Sequence, residues 1–102
     1  MSGMIYVRPF GQVSPTVTIA GGSGVAAVTR AGMGTQTVRV VNAGTATVFL
    51  EFGKDASVVA NAATSMPMLG GTVETFLLPN DITHIAATGG DGDVYITTGE
   101  SA

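Results

Sequence analysis

The chain has 102 residues and a formal net charge of −3, with no Cys, no Trp, a single His and 15 Gly. A disulfide framework and a thiolate or paired-imidazole zinc site are therefore excluded, and few ionisable groups remain to be gathered for catalysis. The cations Arg8, Arg30, Arg39 and Lys54 are scattered through an acidic chain of pI near 4.6, so no basic stripe for direct nucleic-acid contact is present.

The length implies one domain with one modest core. Hydrophobic residues make up 45% and charged residues 11%, with a mean hydropathy of +0.43. A typical soluble domain carries about 25% charged residues. That imbalance predicts apolar surface covered by copies of the same chain or by another protein, and so a homo-oligomer. No segment approaches the ~18 to 20 continuous apolar residues of a membrane-spanning helix, so no membrane partner is expected. The opening Met1-Ser2-Gly3-Met4 has neither the basic nor the apolar region of a signal peptide, which points to the cytoplasm or something assembled there.

In chain order, residues 4–10 (MIYVRPF) read as a strand that Pro9 confines to an edge or ends. Residues 15–20 (PTVTIA) alternate, with Val17 and Ile19 to one side and Thr16 and Thr18 to the other. Gly21-Gly22-Ser23-Gly24 breaks the run, residues 24–30 (GVAAVTR) form another short strand, and residues 31–34 break again. Residues 36–41 (QTVRVV) set Val38 and Val40 on one face. A turn at Asn42-Ala43-Gly44-Thr45 leads to residues 46–52 (ATVFLEF), with Val48, Leu50 and Phe52 inward and Thr47, Phe49 and Glu51 outward. These two runs read as an antiparallel hairpin. Phe49 on the outer face implies that this face too is covered.

Residues 57–60 read as a short strand and residues 64–69 (TSMPML) as extended but irregular, since Pro67 cannot donate to a ladder. Residues 72–78 (TVETFLL), 82–87 (ITHIAA) and 94–98 (VYITT) complete the strands, with turns at Pro79-Asn80-Asp81 and at residues 89–93; residues 99–102 read as a loose tail. Short strands at intervals of roughly ten residues with Gly-rich turns predict an all-β fold, an antiparallel sandwich of jelly-roll type with about eight strands. The domain limits are an N-terminal strand or arm over 1–14, a sandwich over 15–98 and a tail over 99–102.

The chemistry-bearing residues have plain structural readings. His84 is in phase with Ile82 and Ala86, with no particular hydroxyl and no orienting acid selected beside it. Glu51 and Glu74 lie on different strands at positions between apolar neighbours. Asp91-Gly92-Asp93 could ligate a hard cation, but Asp and Gly are also what a tight hairpin needs. Gly22-Ser23-Gly24 after a strand lacks the helix and the later acid of a dinucleotide fingerprint. No enzyme activity and no cofactor are expected.

The second half carries a resemblance. Val40-Val41-Asn42-Ala43-Gly44-Thr45, Ser65-Met66-Pro67-Met68-Leu69-Gly70-Gly71-Thr72-Val73-Glu74-Thr75-Phe76, His84-Ile85-Ala86-Ala87 and Val94-Tyr95-Ile96-Thr97-Thr98-Gly99-Glu100 resemble small virion proteins of tailed bacteriophages, most of all the head decoration, or cement, proteins. The resemblance lies in style and strand order over about sixty residues of the chain rather than in a diagnostic motif. It implies a β-sandwich that binds the outside of an assembled capsid and clamps neighbouring major capsid subunits. The implied partners are the major capsid protein or another virion protein and further copies of the chain, as a trimer first or a dimer. The implied location is the virion, and no catalytic residue carries over. Many decoration proteins have an N-terminal arm rich in Pro, Gly and Ser; the first ten residues here are more apolar. The expected interaction surface is Met4, Ile5, Tyr6, Val7 and Phe10, with Phe49 and with Met66, Pro67, Met68 and Leu69. Other readings are a tail, adaptor or fibre-associated virion component, and a small ligand-binding or carbohydrate-binding sandwich.

Overall fold

The structure, a computed structural model, describes residues 16–30 and 36–100. The expected arm over 1–14, with its strand at 4–10, and the break at 31–34 lie outside the described residues. Eight strands are present among the described residues: β1 (Val17–Ile19), β2 (Gly24–Ala27), β3 (Gln36–Asn42), β4 (Val48–Gly53), β5 (Met66–Met68), β6 (Val73–Leu77), β7 (His84–Thr88) and β8 (Val94–Glu100). One turn of 3-10 helix, Ala20–Gly22, joins β1 to β2.

Two four-stranded sheets form, in the orders β1-β8-β3-β6 and β2-β7-β4-β5. Every pair is antiparallel, and the pairs β1 with β8, β2 with β7, β3 with β6 and β4 with β5 nest one inside the next. The chain is thus one long folded-back ribbon. Rolling it brings β8 beside β3 and β7 beside β4, which is the jelly-roll arrangement.

Alternation in each strand supplies the core. In the first sheet Val38 and Val40 of β3 lie opposite Thr98 and Ile96 of β8. In the second, Leu50 and Phe52 of β4 lie opposite Ala87 and Ile85 of β7. These positions face one another across the sandwich and, except for partly exposed Phe52, are buried; Ile19, Val48, Met68, Leu78 and Val94 complete the core. Ile85, Ala86 and Ala87 are all buried in succession, so β7 is covered on both faces. The outer cover over Ala86 comes from the β4–β5 connection: Val58 packs against Gly53, and Val58 to Ala60 border a cleft shared with Val25 and Ala86.

Three expectations are corrected. Residues 57–60 do not form a strand, because this segment lies over the outer face of a sheet instead of pairing with one. The hairpin between residues 36–41 and 46–52 is absent, and so is one across residues 89–93. β3 spends its backbone groups on β6 and β8, so β4 has no free edge there to join and crosses to the other sheet. The loose tail begins later than expected, since Gly99 and Glu100 continue β8 opposite Thr37 and Gln36.

Asn42 holds the crossing in place. It closes β3 rather than opening a turn, and its side chain is fully buried. Its Nδ2 donates to the carbonyls of Ala46 at 3.0 Å, Met68 at 3.2 Å and Leu69 at 3.3 Å, while Oδ1 accepts from the Gly44 N–H at 3.1 Å. One side chain thereby ties the β3–β4 connection to the β5–β6 connection. Replacing it removes the donor to the buried Met68 carbonyl and the partly buried Ala46 carbonyl, while the Leu69 carbonyl keeps the Thr72 hydroxyl; each buried group left unpaired costs about 1–3 kcal/mol. Asn42→Ala should lower unfolding free energy by about 3 kcal/mol, and Asn42→Leu should recover little of that, because refilling the volume leaves the carbonyls unpaired. Denaturant titration checks this; a loss in both variants below ~0.5 kcal/mol would mean the pin is dispensable.

Candidate interaction surface

The two sides of the sandwich differ. On one side β5 and β6 are the last strands of their sheets. Most of the exposed large apolar side chains among the described residues lie there: Met66 (38%), Leu69 (66%), Val73 (49%) and Leu77 (68%). Between the two sheet margins runs an apolar groove of about 450 Å³, bordered by Phe52, Met66, Phe76, Leu77 and Ile82, with Glu51 at its wall. Phe52 from one sheet and Phe76 from the other meet edge to face, with ring centroids 5.5 Å apart and planes at 73°. Their contact bridges the sheets and leaves neither ring as a flat stacking platform.

The groove stays open because β5 is short. It pairs only with Val48, Phe49 and Leu50, leaving the end of β4 uncovered. The chain there follows a polar path, in which the Ser65 hydroxyl donates to Glu51 Oε1 at 2.7 Å and accepts from the Asn61 N–H at 2.8 Å. Glu51 is thus a partly buried acceptor on the second sheet, whereas Glu74 is exposed on the first.

The expected surface residues divide. Met4, Ile5, Tyr6, Val7 and Phe10 lie outside the described residues. Met66, Pro67 and Leu69 are exposed together beside the groove. Met68 is a correction: at 2% exposure it packs in the core opposite Val48, whereas Met66, in the same phase opposite Leu50, stands at the open groove and stays 38% exposed. Phe49 is half-buried opposite Thr88 and beside Gly89. Val73 and Leu77 were not among the expected surface residues. Their signal was in residues 72–78, where Val73, Thr75 and Leu77 share one phase and Phe76 the other, giving apolar groups on both faces.

Compared with known protein families, curated proteins and solved structures, the chain matches none.

The titratable groups singled out by sequence act as ties between loops. Asp91 Oδ1 accepts from the N–H groups of Thr45 at 2.7 Å and Ala46 at 3.1 Å, and Oδ2 accepts from the Thr45 hydroxyl at 2.5 Å. Asp93 Oδ1 accepts from the Gly21 N–H at 3.0 Å. The Asp-Gly-Asp segment therefore directs one carboxylate at the β3–β4 connection and the other at the β1–β2 connection. No group of three or more metal-ligating side chains stands together among the described residues. His84 Nδ1 lies 2.8 Å from the Thr83 hydroxyl, on the outer face with Ala86.

The Thr45 hydroxyl, followed by the Ala46 and Thr45 amides, lowers the Asp91 pKa below its ordinary value. The ionised carboxylate is the bonded form, so the tie is fully present at neutral pH and is lost as pH falls through the lowered folded-state value. The thermal midpoint should therefore fall more steeply with acidification in the native chain than in Asp91→Asn. Calcium should leave both midpoints unchanged at neutral pH. Parallel acid limbs, or a midpoint raised by calcium, would count against the loop tie.

Proposed function

We propose that this chain is a non-enzymatic structural protein of a tailed-phage virion, one that binds the outside of the assembled capsid as a decoration or cement protein. The observation that carries this reading is the apolar margin along β5 and β6, where Met66, Leu69, Val73 and Leu77 are exposed beside an open groove. The sequence resemblance supplies the setting. Adhesion needs complementary surface and free strand edges, not gathered acid–base groups. A ligand that binds only the intact shell stabilises that shell by linkage, and many weakly bound copies act together. The N-terminal segment at residues 4–10 fits the same role as a strand contributed to a neighbouring subunit.

Cosedimentation with purified DNA-free phage heads tests the reading. The full chain should bind them saturably and raise the temperature at which they rupture. Association with tails alone, or a saturable stoichiometric response to a glycan panel without head binding, would overturn it. Removing residues 1–10 should leave the thermal transition of the sandwich in place and abolish docking. Undiminished docking by the truncated chain would refute the role of that segment.

A further inference from the structure

The strand β6 forms the last member of its sheet, and its register fixes which backbone groups are free. Leu78 N–H donates to Gln36 C=O at 2.9 Å, and Asn42 N–H donates to Thr72 C=O at 3.0 Å. Antiparallel ladders alternate hydrogen-bonded and non-hydrogen-bonded pairs. Between those ends, the pairs Val38–Phe76 and Val40–Glu74 therefore exchange bonds, and the pairs Thr37–Leu77, Arg39–Thr75 and Val41–Val73 do not. The N–H and C=O groups of Val73, Thr75 and Leu77 consequently point away from β3. No described strand lies beyond them.

An edge of this kind is normally blunted by Lys, Pro, shortness or a bulge. The other described edges are guarded: β5 has three residues and contains Pro67, β1 has three residues, and β2 is a four-residue run of Gly, Val and Ala. By contrast β6, Val-Glu-Thr-Phe-Leu, runs for five residues with neither Lys nor Pro, and its single charge, Glu74 in the inward phase opposite Val40, is the one blunting device it carries. Its outer face presents Val73 and Leu77, both well exposed.

We infer that β6 pairs with β6 of a second copy of this chain, antiparallel about a two-fold axis at Thr75, to make one continuous eight-stranded sheet. In this register Val73 lies opposite the partner's Leu77, Thr75 opposite the partner's Thr75, and Leu77 opposite the partner's Val73. All three are hydrogen-bonded pairs, so every outward backbone group of the strand is used. Apolar side chains meet on the outer face, as cross-strand pairing favours. Glu74, the only charged residue of β6, lies opposite the partner's Phe76. Centring on Glu74 instead would set two carboxylates directly opposite, and centring on Phe76 would leave Val73 unpaired. The same patch on both partners is self-complementary, as a two-fold interface requires. The inference rests on the proposed reading for what the dimer serves, and it assigns Val73 and Leu77 to the second copy while Met66 and Leu69 stay exposed for the shell.

The absence of cysteine makes the axis directly testable. Hydrogen-bonded antiparallel pairs have Cα atoms about 5.5 Å apart, within the ~4.4–6.8 Å span of a disulfide. Thr75→Cys in the full chain should cross-link to double mass with oxidised glutathione, and Ala62→Cys, in an exposed loop, should not. Light scattering at tens of micromolar should give about twice the 10.2 kDa chain mass for the native protein. Thr75→Pro should give a single-chain mass with an unchanged circular dichroism spectrum, because its N–H serves no bond to β3. Leu77→Lys is the second variant should the proline disturb folding, and it too should be monomeric. A monomeric or trimeric native chain, or Thr75→Cys cross-linking no faster than Ala62→Cys, would overturn the inference. So would loss of the dimer on removing residues 1–15, which would assign the edge to that segment. A dimer that ignores phage heads would sink the capsid reading alone; a monomer that binds them would sink the β6 pairing alone.

Discussion

A jelly roll sends most consecutive strands to opposite sheets, so several of its connections crowd one end of the sandwich. Here the connections 20–23, 43–47, 69–72 and 89–93 converge, and backbone must touch backbone. A Cβ on Gly22 would stand 2.6 Å from Gly90 Cα, and a Cβ on Gly92 would stand 2.6 Å from Gly44 Cα. Gly22 also has φ of 71°, where a side chain is strained regardless of space. Gly44, in the segment read from sequence as a turn, is needed for this approach. Asn42, from a buried position, and Asp91 and Asp93, from the exposed rim, supply hydrogen bonds that tie these loops together. The sheet each strand enters follows from the edges already taken, and these loop contacts hold the crossings that result.

This constraint also distributes the polar residues. Two of the few carboxylates are committed to loop ties at one end, and Glu51 accepts from Ser65 on the outer face of the second sheet. At the opposite end Arg30 reaches the carbonyls of Pro79 and Ile82, and Lys54 lies 3.3 Å from Asp81 on the exposed surface. The lateral margin at β5 and β6 receives little charge. Its apolar side chains have no described element above them, and β5 is too short to close the groove. A low-charge chain thus concentrates exposed apolar surface on one flank, while the crossing end is held by close glycine contacts and the hydrogen bonds of Asn42, Asp91 and Asp93.

The β character, the strand number and the inward residues of β3 and β4 were legible because alternation is local: Val38, Val40, Val48, Leu50 and Phe52 are assigned to a face by phase alone. Partner choice was not legible. Residues 43–47 and 89–93 have the composition of hairpin turns, and the same composition serves a crossing between sheets. Only the commitment of both edges of β3 to β6 and β8 separates the two. Asn42 looked like a turn residue for the same reason, since nothing adjacent in sequence indicates that Met68 and Leu69 supply its acceptors.

The surface divides along the same line. Met66 and Leu69 could be placed outside from their irregular, proline-containing setting, but Met68 was misplaced: it shares the inward phase of Met66, and only the open groove beside Met66 leaves one exposed and the other buried. Val73 and Leu77 became interaction candidates only once β6 proved to be an edge. The sequence by itself determined a strand-rich, weakly charged chain with its inward and outward residues in β3 and β4, because composition and two-residue periodicity act within each segment. Tertiary structure alone decided the pairing of strands, the burial of Asn42 and the free edge of β6, because those depend on contacts between segments far apart along the chain.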